Sequence, residues 1–491
     1  MEKNYFSKKV LQACVLFFMI ITANVFAQVG IGTITPHASS VLDVSSTTQG
    51  MLTPRMTTVQ RTAIATPADG LMVYDTDLKS FYHYNSAIAS WNVINSATTG
   101  RSKFKRIKST DVLATVLATE LAAGSGAKYV LDSSTYYEIN GTITLNFPID
   151  LNNAYISGQD ANEDKLVRTS GNLFDGALGG SIRNVTIQVT GGGKVFNLSG
   201  ANTQNLIIRD SVIAGCSNVG SITGFGLVFV SIVQYISNST GIIYDSIDKL
   251  LISNAAWFST NSGTYEKLQG TFGLVQKQGG FSEVSGISVG FDVSSNPTIT
   301  GDAVMETVVF TGTVSTGKYV NGYTVGSYTG YNFNNKWNIR CSGIPSESDA
   351  VSVGDINFNY PVGSGAATTL SGTPVKLAGV TTSNNLYRFS RGSADNKLQY
   401  LGTKKRFFRV SGSASFQSNA TSTVYVFYVA RNGVVVNQSK VYVSSNSTVD
   451  ILAVPIEAIV EMSSNDYIEV FAERFSGSGN ILTVSMNLVV N

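Results

Sequence analysis

The chain has 491 residues, of which 43% are hydrophobic and 13% charged, and its formal net charge at pH 7 is +2. Gly, Ser, Thr and Asn are abundant, which is typical of long β-proteins with tight turns and too poor in Glu and Lys for charged helix surfaces. A near-neutral chain has no basic field that would attract phosphates, so we expect no nucleic-acid partner.

The amino terminus has the pattern of an export signal. Three lysines precede an apolar run, Val10 to Ile21, and the short residues that a signal peptidase reads follow from Asn24 to Ala27. We predict a signal peptide over residues 1–27 and an extracellular or outer-cell-surface location. Leu11 to Cys14 offers a lipoprotein signal as an alternative, although that cysteine precedes most of the apolar run. No later run is long enough to span a membrane, so no transmembrane segment is expected after signal removal.

Residues 28–100 form a predicted amino-terminal surface module of short β-strands. Its motifs resemble a module that follows the signal peptide in many exported proteins of the Bacteroidota. The resemblance implies export and carries no activity. The residues that carry it are Gln28-Val29-Gly30-Ile31-Gly32-Thr33, Val41-Leu42-Asp43-Val44, Gly50-Met51-Leu52-Thr53-Pro54-Arg55-Met56-Thr57, Gln60-Arg61 and Gly70-Leu71-Met72-Val73-Tyr74-Asp75-Thr76.

Residues 101–126 are predicted to contain a basic linker and a capping helix. Five basic side chains between Arg101 and Lys108 indicate a solvated linker. Ser109 to Asp111 is a helix-start signal, apolar residues from Val112 to Leu121 recur at helical spacing, and Gly124 ends the pattern. A short amphipathic helix here would cover the open end of a β-solenoid.

A repeat occupies the middle of the chain. Apolar segments begin at Asn184, Asn205, Gly226, Lys249 and Thr271, with a spacing of about 22 residues. Such a period, with two or three short strands in each coil, is typical of a parallel β-helix. We therefore predict an all-β protein with a right-handed parallel β-helix over residues 127–340.

Residues 341–380 are predicted to be a transition, and residues 381–491 a jelly-roll head. Strands lengthen in this part, and their apolar residues alternate, as in Val484, Met486, Leu488 and Val490. Asn432-Gly433 between two apolar runs is a strong hairpin signal.

Two strands of the predicted head have apolar residues on both faces. A two-layer sandwich buries one face of each strand, so the second face indicates a partner. We expect a homotrimer, and a surface glycan or protein receptor as the further partner. The candidate binding or subunit-interface residues are Tyr425, Phe427, Tyr467, Phe471 and Phe475.

The chain from residue 128 onward resembles tailed-phage fibre and tailspike proteins. In that family such an ending is a trimeric head with a fold similar to tumour necrosis factor, and it contacts a receptor. A signal peptide departs from the virion pattern and favours a cell-surface or secreted version. The residues that carry the resemblance are Tyr137-Glu138-Ile139-Asn140-Gly141-Thr142-Ile143, Ala154-Tyr155-Ile156-Ser157-Gly158, Leu398-Gln399-Tyr400-Leu401-Gly402 and Asp466-Tyr467-Ile468-Glu469-Val470.

β-Helices also house polysaccharide lyases and glycoside hydrolases, so catalysis is the alternative function. Glycoside hydrolysis uses two carboxylates roughly 5 to 10 Å apart. Asp245 and Asp248 could flank one corner, with Asp210 one or two coils away. Aspartates that cap their own turns explain the same positions.

Metal and redox signals are weak. Asp160, Asn162 and Asp164 resemble the first half of a calcium loop, but the later positions do not fit an EF-hand. Cys216 and Cys341 remain after signal removal, either as a disulfide or, as we expect, as two buried thiols. No cofactor is expected.

These observations favour an exported, fibre-like adhesin or receptor-binding protein, with the β-helix as spacer and the carboxy-terminal head as contact domain. The alternative is a carbohydrate-active enzyme that uses a groove on the β-helix.

Overall fold

The computed structural model describes residues 3–20, 28–94, 103–392 and 394–491. The predicted cleavage site after Ala27 lies outside the described residues. The chain divides into two compact units, Met1–Gly100 and Arg101–Asn491. No helix within the described ranges is long and apolar enough to cross a membrane.

The described residues of the first unit form six short strands and two helices. Strands β1 and β2 pair in parallel, β3 pairs in parallel with β4, and β4, β5 and β6 form an antiparallel meander. The elements are α1 (Lys3–Ile20), β1 (Val29–Ile31), β2 (Leu42–Val44), β3 (Arg55–Met56), α2 (Thr58–Thr62), β4 (Met72–Asp75), β5 (Ser80–Asn85) and β6 (Ser90–Val93).

A buried ion pair holds helix α2 against strand β4. The Asp75 carboxylate accepts hydrogen bonds from Arg61 Nε and Thr58 Oγ1, both at 2.9 Å. The Arg61 guanidinium also lies 4.0 Å from the centre of the Tyr82 ring. Around this small core several aliphatic side chains stay in solvent, among them Ile34 at 99% and Leu52 at 81% exposure. The described residues of this unit therefore leave part of their apolar surface exposed.

The second unit begins as a parallel solenoid. Its strands are β7 (Phe104–Lys108), β8 (Tyr129–Val130), β9 (Tyr136–Asn140), β10 (Thr142–Thr144), β11 (Ile149–Asp150), β12 (Tyr155–Ser157), β13 (Lys165–Arg168), β14 (Phe174–Gly176), β15 (Gly180–Arg183), β16 (Thr186–Val189), β17 (Lys194–Ser199), β18 (Asn205–Ala214), β19 (Asn218–Thr223), β20 (Leu227–Ile236), β21 (Ile242–Asp245), β22 (Lys249–Trp257), β23 (Thr264–Gln269), β24 (Thr271–Phe272), β25 (Leu274–Glu283), β26 (Val289–Asp292), β27 (Thr298–Ile299), β28 (Ala303–Thr311), β29 (Lys318–Asn321) and β30 (Trp337–Ser342). Two short helices, α3 (Leu113–Val116) and α4 (Ala118–Ala123), follow β7.

Two long sheets run along the solenoid. One has the order β30-β28-β25-β22-β20-β18-β15-β12-β9-β7, and the other the order β29-β26-β23-β21-β19-β17-β14-β11-β8. All the strand pairs in both sheets are parallel. The predicted parallel β-helix and the all-β class are confirmed.

Rows of apolar side chains hold the coils together. Each row consists of residues in register on successive strands, so each coil buries its apolar side chains against its neighbours. One row, buried throughout, is Ile156, Ile182, Ile208, Val230, Ile252, Lys277, Met305 and Ile339.

The spacing of these rows corrects the predicted repeat. Asn205, Leu227 and Lys249 are in register, which gives the expected spacing of about 22 residues. Leu274 then pairs with Lys249, whereas Thr271 belongs to the separate β24–β27 pair. Later coils are longer because their corners contain loops, and a search for one fixed period misplaces them.

The predicted basic linker is wrong for residues 104–108. They form strand β7, which pairs in parallel with β9 as the first strand of a sheet. Arg106 forms an ion pair of 2.5 Å with Glu138 on β9, so charge here stabilises strand pairing. The predicted helix is present as α3 and α4, and the buried Leu117 packs on the first coil.

One corner of the solenoid requires a left-handed residue in successive coils. The residues there are Asn184, Asp210, Ile232, Asn254, Gly279 and Thr307, each with φ between 51° and 62°. Asn, Asp and Gly adopt this region readily, whereas a β-branched residue does not. Ile232 is therefore a strained residue, and its side chain is 50% exposed.

An ion pair interrupts the apolar rows. Lys277 replaces an aliphatic residue in the row above, and Glu266 occupies a row between Ile242 and Phe291. Lys277 Nζ lies 2.7 Å from Glu266 Oε2, and both side chains are 1% exposed. Within the described residues the carboxylate and the ammonium group have no hydrogen-bond partner, so each buried charge depends on the opposite charge beside it.

The carboxy-terminal part of the second unit is a sandwich of two antiparallel sheets. Its strands are β31 (Val353–Asn359), β32 (Ala366–Thr368), β33 (Val375–Lys376), β34 (Leu386–Tyr387), β35 (Phe389–Ser390), β36 (Leu398–Tyr400), β37 (Arg406–Ser418), β38 (Thr423–Arg431), β39 (Val434–Val435), β40 (Val441–Ser445), β41 (Ile451–Met462), β42 (Tyr467–Ser476) and β43 (Ile481–Val490). The first sheet has the strand order β34-β31-β43-β37-β41, with β32 beside β43. The second, which we call the aromatic sheet, has the order β35-β36-β42-β38-β39, with β33 beside β42 and β40 beside β38.

The sandwich begins earlier than predicted. Strand β31, at Val353–Asn359, pairs over its length with β43 near the end of the chain. Residues 341–380, predicted to be a transition, therefore supply a strand inside the first sheet. The sequence did not mark this strand, because Gly and Ser are frequent around it and because its partner β43 lies more than a hundred residues away.

Replacing one member of the Glu266–Lys277 pair should destabilise the protein strongly. We expect Lys277→Met to lower the free energy of unfolding by about 3–5 kcal/mol, because it leaves Glu266 charged and buried. The double variant Lys277→Met/Glu266→Leu should recover most of that loss. Chemical denaturation monitored by circular dichroism would measure both.

Lys405→Met is the matched control, since Lys405 pairs with Glu461 at the surface, and it should change stability by less than about 1 kcal/mol. A double variant no more stable than Lys277→Met alone would contradict the account of the pair.

Replacing the strained Ile232 should stabilise the protein. Ile232→Asn is expected to raise the free energy of unfolding by about 1 kcal/mol, because asparagine adopts the left-handed conformation at lower cost. Ile287→Asn is the control, since Ile287 is 78% exposed and has no positive φ. Equal effects at both positions would show that exposure, and not backbone strain, is responsible.

Candidate functional site

The outer face of the aromatic sheet is the main candidate surface. Along β42, Ile468, Val470 and Ala472 point into the sandwich and are buried. The alternate residues face outward, as the sequence predicted. We call this outward set, with its neighbours on β38 and β40, the aromatic face: Tyr428, Tyr442, Tyr467, Phe471 and Phe475.

The aromatic face has a covered centre and an exposed edge. Tyr428, opposite Phe471 in register, is 2% exposed and donates a hydrogen bond of 2.5 Å to Glu473. Burial, together with the Glu473 carboxylate, raises the pKa of Tyr428. At the edge Tyr442 and Phe475 pack edge to face at 5.4 Å and remain 54% and 64% exposed.

Charged groups surround the aromatic rings. Lys376 Nζ lies 3.0 Å from Glu469, and Lys397 Nζ lies 3.8 Å from the centre of the Tyr467 ring. Aromatic rings bordered by paired charges are typical of protein–protein contacts. The rings provide apolar area for burial, and the charges set the orientation of the partner.

Tyr425 and Phe427 are wrong as interface residues. They are 0% and 1% exposed and belong to the core between the two sheets, and the Tyr425 hydroxyl lies 2.6 Å from Ser418 Oγ. The second apolar face of this strand, Val426 and Tyr428, is also buried within the same chain. The exposed aromatic surface therefore comes from β40 and β42.

Each of the three candidate catalytic aspartates interacts with a nearby polar side chain. Asp210 is a left-handed corner residue of β18 and pairs with Arg209 at 2.9 Å. Asp245 ends β21 in the other long sheet and accepts hydrogen bonds from Ser246 Oγ at 2.7 Å and Gln269 Nε2 at 2.9 Å. Asp248 precedes β22 and lies 3.9 Å from Lys249. These are the partners of corner and turn carboxylates.

The carboxylates of the candidate calcium loop accept hydrogen bonds from backbone N–H groups. Asp164 accepts hydrogen bonds from the N–H groups of Gly141, Gln159 and Asp160 at 2.7–3.0 Å. Burial acts to raise the pKa of Asp164, but these three donors outweigh it and the pKa is lowered. Asp160 Oδ1 accepts from the Asn162 N–H at 2.8 Å. Across the described residues no group of three His, Cys, Asp or Glu side chains is placed to hold a metal.

A polar cluster that the sequence did not reveal joins the solenoid to the sandwich. Asp349 accepts hydrogen bonds from Arg388 and from the N–H groups of Thr403 and Lys404, at 3.0 and 2.7 Å for the last two. Arg388, 1% exposed, also donates to the Trp337 carbonyl at 2.6 Å. Burial acts to raise the pKa of Asp349, but Arg388 opposes it and the pKa is lowered.

We call Asp349, Arg388 and Trp337 the seam cluster. Its members lie far apart in the sequence, and no short motif marks them.

The amino-terminal part of the chain is similar to a known protein family. Residues 30–109 match the family model of a phage tail like trimerisation region, well under half of the 491-residue chain. The match ends just after strand β7, so it runs from the first unit into the start of the solenoid. No curated protein that was searched is significantly similar to the chain.

Thirty chains of solved structures match. One is the crystal structure of the enzymatically active domain of tailspike protein 4 from bacteriophage CBA120, which is 10% identical; the match covers 89% of this chain and 77% of that chain. Its TM-score is 0.21, too low for the superposition to bear on function.

The cysteines should behave as free thiols. Cys216 is buried, and its burial raises the pKa of the thiol to about 12. Cys341 is half-buried and unpaired. We expect Ellman's reagent at pH 8 to leave Cys216 unmodified in the folded chain of residues 28–491, and to detect two thiols after denaturation. Detection of none after denaturation would demonstrate a disulfide.

Proposed function

We propose that the protein is an exported, homotrimeric, fibre-like receptor-binding protein. Its solenoid acts as a spacer, and its sandwich acts as the contact head. The observation that carries the proposal is the match of residues 30–109 to a trimerisation region that continues into the first strand of the solenoid. If three chains associate through this region, the first strands of their three solenoids would lie close together.

The first unit supports association. Its described residues leave Ile34, Val41 and Leu52 at least 78% exposed. Exposed aliphatic side chains at this density are typical of surfaces that another chain covers. A trimer would bury them.

The exposed edge of the aromatic face is proposed as the contact between heads. Copies joined at the trimerisation region bring their heads to a high local concentration, so even a modest contact would form. Tyr442 and Phe475 supply a pair of rings at this edge. Aromatic residues are enriched at the centres of such contacts.

Export and surface location rest on the signal-like amino terminus and on the resemblance of residues 28–100 to a module of exported Bacteroidota proteins. A receptor-binding role rests on the resemblance of the later residues to phage fibres. Each candidate catalytic aspartate already interacts with a nearby polar side chain, which favours binding over catalysis.

Light scattering on purified residues 28–491 should give three times the chain mass. Hydroxyl-radical footprinting should then show protection of Tyr442 and Phe475. Phe407 is the internal control, because it is 65% exposed and lies on β37 of the opposite sheet. It should be oxidised at the rate of a free ring.

A monomer would overturn the proposed trimer, and equal oxidation of the three rings would overturn the head contact. The same preparation should bind one or more ligands on a glycan array and release no reducing or unsaturated sugar from a polysaccharide panel. Release that is lost in Asp245→Asn would favour the enzyme.

A further inference from the structure

A groove of about 360 Å³ lies where the end of the solenoid meets the sandwich. Glu306 on β28 and Arg340 on β30 line one side of it, and Ser348 and Lys404 line the other. Glu306 and Arg340 follow the buried Met305 and Ile339, so their side chains point away from the solenoid core. The groove belongs to one compact unit.

Asp349, which also lines the groove, is paired with Arg388, but the cations of the groove have no such partner in the part of the chain that the structure describes. Glu306 and Arg340 are direct neighbours on adjacent strands, as are Arg106 and Glu138. The latter two form an ion pair, whereas in the described residues neither Arg340 nor Lys404 lies within 4.0 Å of an acidic oxygen. Two cations are thus available at one groove.

Hydrogen bonds hold the backbone at one wall of the groove. Asp349 of the seam cluster holds the backbone N–H of Lys404, and Ser348 Oγ accepts a hydrogen bond from the Ala350 N–H at 3.2 Å. This leaves the Ser348 hydroxyl hydrogen free to donate. The Asn338 amide also lines the groove and makes no hydrogen bond within the described chain. Donors and acceptors therefore border the two cations.

We propose that this groove binds a uronic acid residue of an acidic polysaccharide. Arg340 and Lys404 would bind its carboxylate, and Asn338, Ser348 and Glu306 would bind its hydroxyl groups. Charge-assisted hydrogen bonds from two cations suit a single carboxylate. This inference rests on the proposed function, since it names the class of receptor.

Other ligands fit the groove less well. A phosphate dianion would meet Glu306 as well as the two cations, and a neutral sugar would leave both cations unpaired. A nucleic acid would need a broader basic surface than a chain of net charge +2 offers. Asp349 also lines the groove but is already paired with Arg388. The remaining groups are the Glu306 carboxylate, two cations without ion-pair partners among the described residues, an amide and a hydroxyl, and this set suits a carboxylated sugar.

Calorimetry on the trimer of residues 28–491 would test the groove. The probes are defined oligomers of galacturonate, alginate and hyaluronan, together with the same oligomers after reduction of their carboxyl groups. We expect at least one acidic oligomer to bind, its reduced form to bind at least about tenfold more weakly, and Arg340→Gln or Lys404→Gln to cause a similar loss.

Lys405→Gln is the matched control, since Lys405 is adjacent in sequence but pairs with Glu461 outside the groove. It should change the affinity by less than about twofold. No binding of any acidic oligomer, or equal binding of the reduced forms, would overturn the inference. So would binding that survives Arg340→Gln and Lys404→Gln.

The two proposals fail in different ways. A trimer that binds neutral glycans or a protein receptor, but no acidic oligomer, would overturn only the groove. A monomer that binds no ligand on the array would overturn the proposed function itself.

Discussion

The stacking of inward apolar rows is the interaction on which the second unit depends. No single coil of the solenoid has a core, because its Ile, Val and Leu side chains are covered only by the coils on either side. The row that runs from Ile156 to Ile339 shows this coupling along nearly the whole solenoid. The open first coil is covered by α3 and α4, and the last by the seam cluster. Both ends are therefore closed by polar contacts as well as apolar ones, through Glu120 in one case and Asp349 in the other.

The same rows explain why Glu266 and Lys277 are significant. An ion pair in a row of aliphatic side chains costs desolvation energy that an apolar pair would not. Its effect is to distinguish one coil from the others, because a shift of one residue would place a single charge in the core. We interpret the pair as a marker of register in a repetitive structure. Tyr265 directly precedes Glu266 on β23, and its ring stacks in a series with those of Trp257 and Tyr235, which gives the same region a distinctive packing.

Parts of this fold could be predicted from the sequence because they depend on local patterns. The parallel solenoid followed from a repeat, and the outward direction of Tyr467, Phe471 and Phe475 followed from alternation along one strand. Strand β31 could not be recognised, because it depends on pairing with β43, and the basic residues of β7 resembled a linker, because their partner Glu138 lies on another strand. Tyr425 and Phe427 were misplaced for a related reason. An all-apolar strand does not reveal which of its faces meets the second sheet, and in this protein both faces are covered by the same chain.

We propose three parts with separate roles: residues 30–109, which match a trimerisation region, a solenoid that acts as spacer, and a head with an exposed aromatic edge. In the proposed assembly the three heads meet through that edge. Single-particle cryo-electron microscopy of residues 28–491 tests this claim most directly. The account predicts three chains around a threefold axis, with the Tyr442 and Phe475 rings of each head against a neighbouring copy. A monomer, or a trimer whose heads are apart with these rings in solvent, would contradict it.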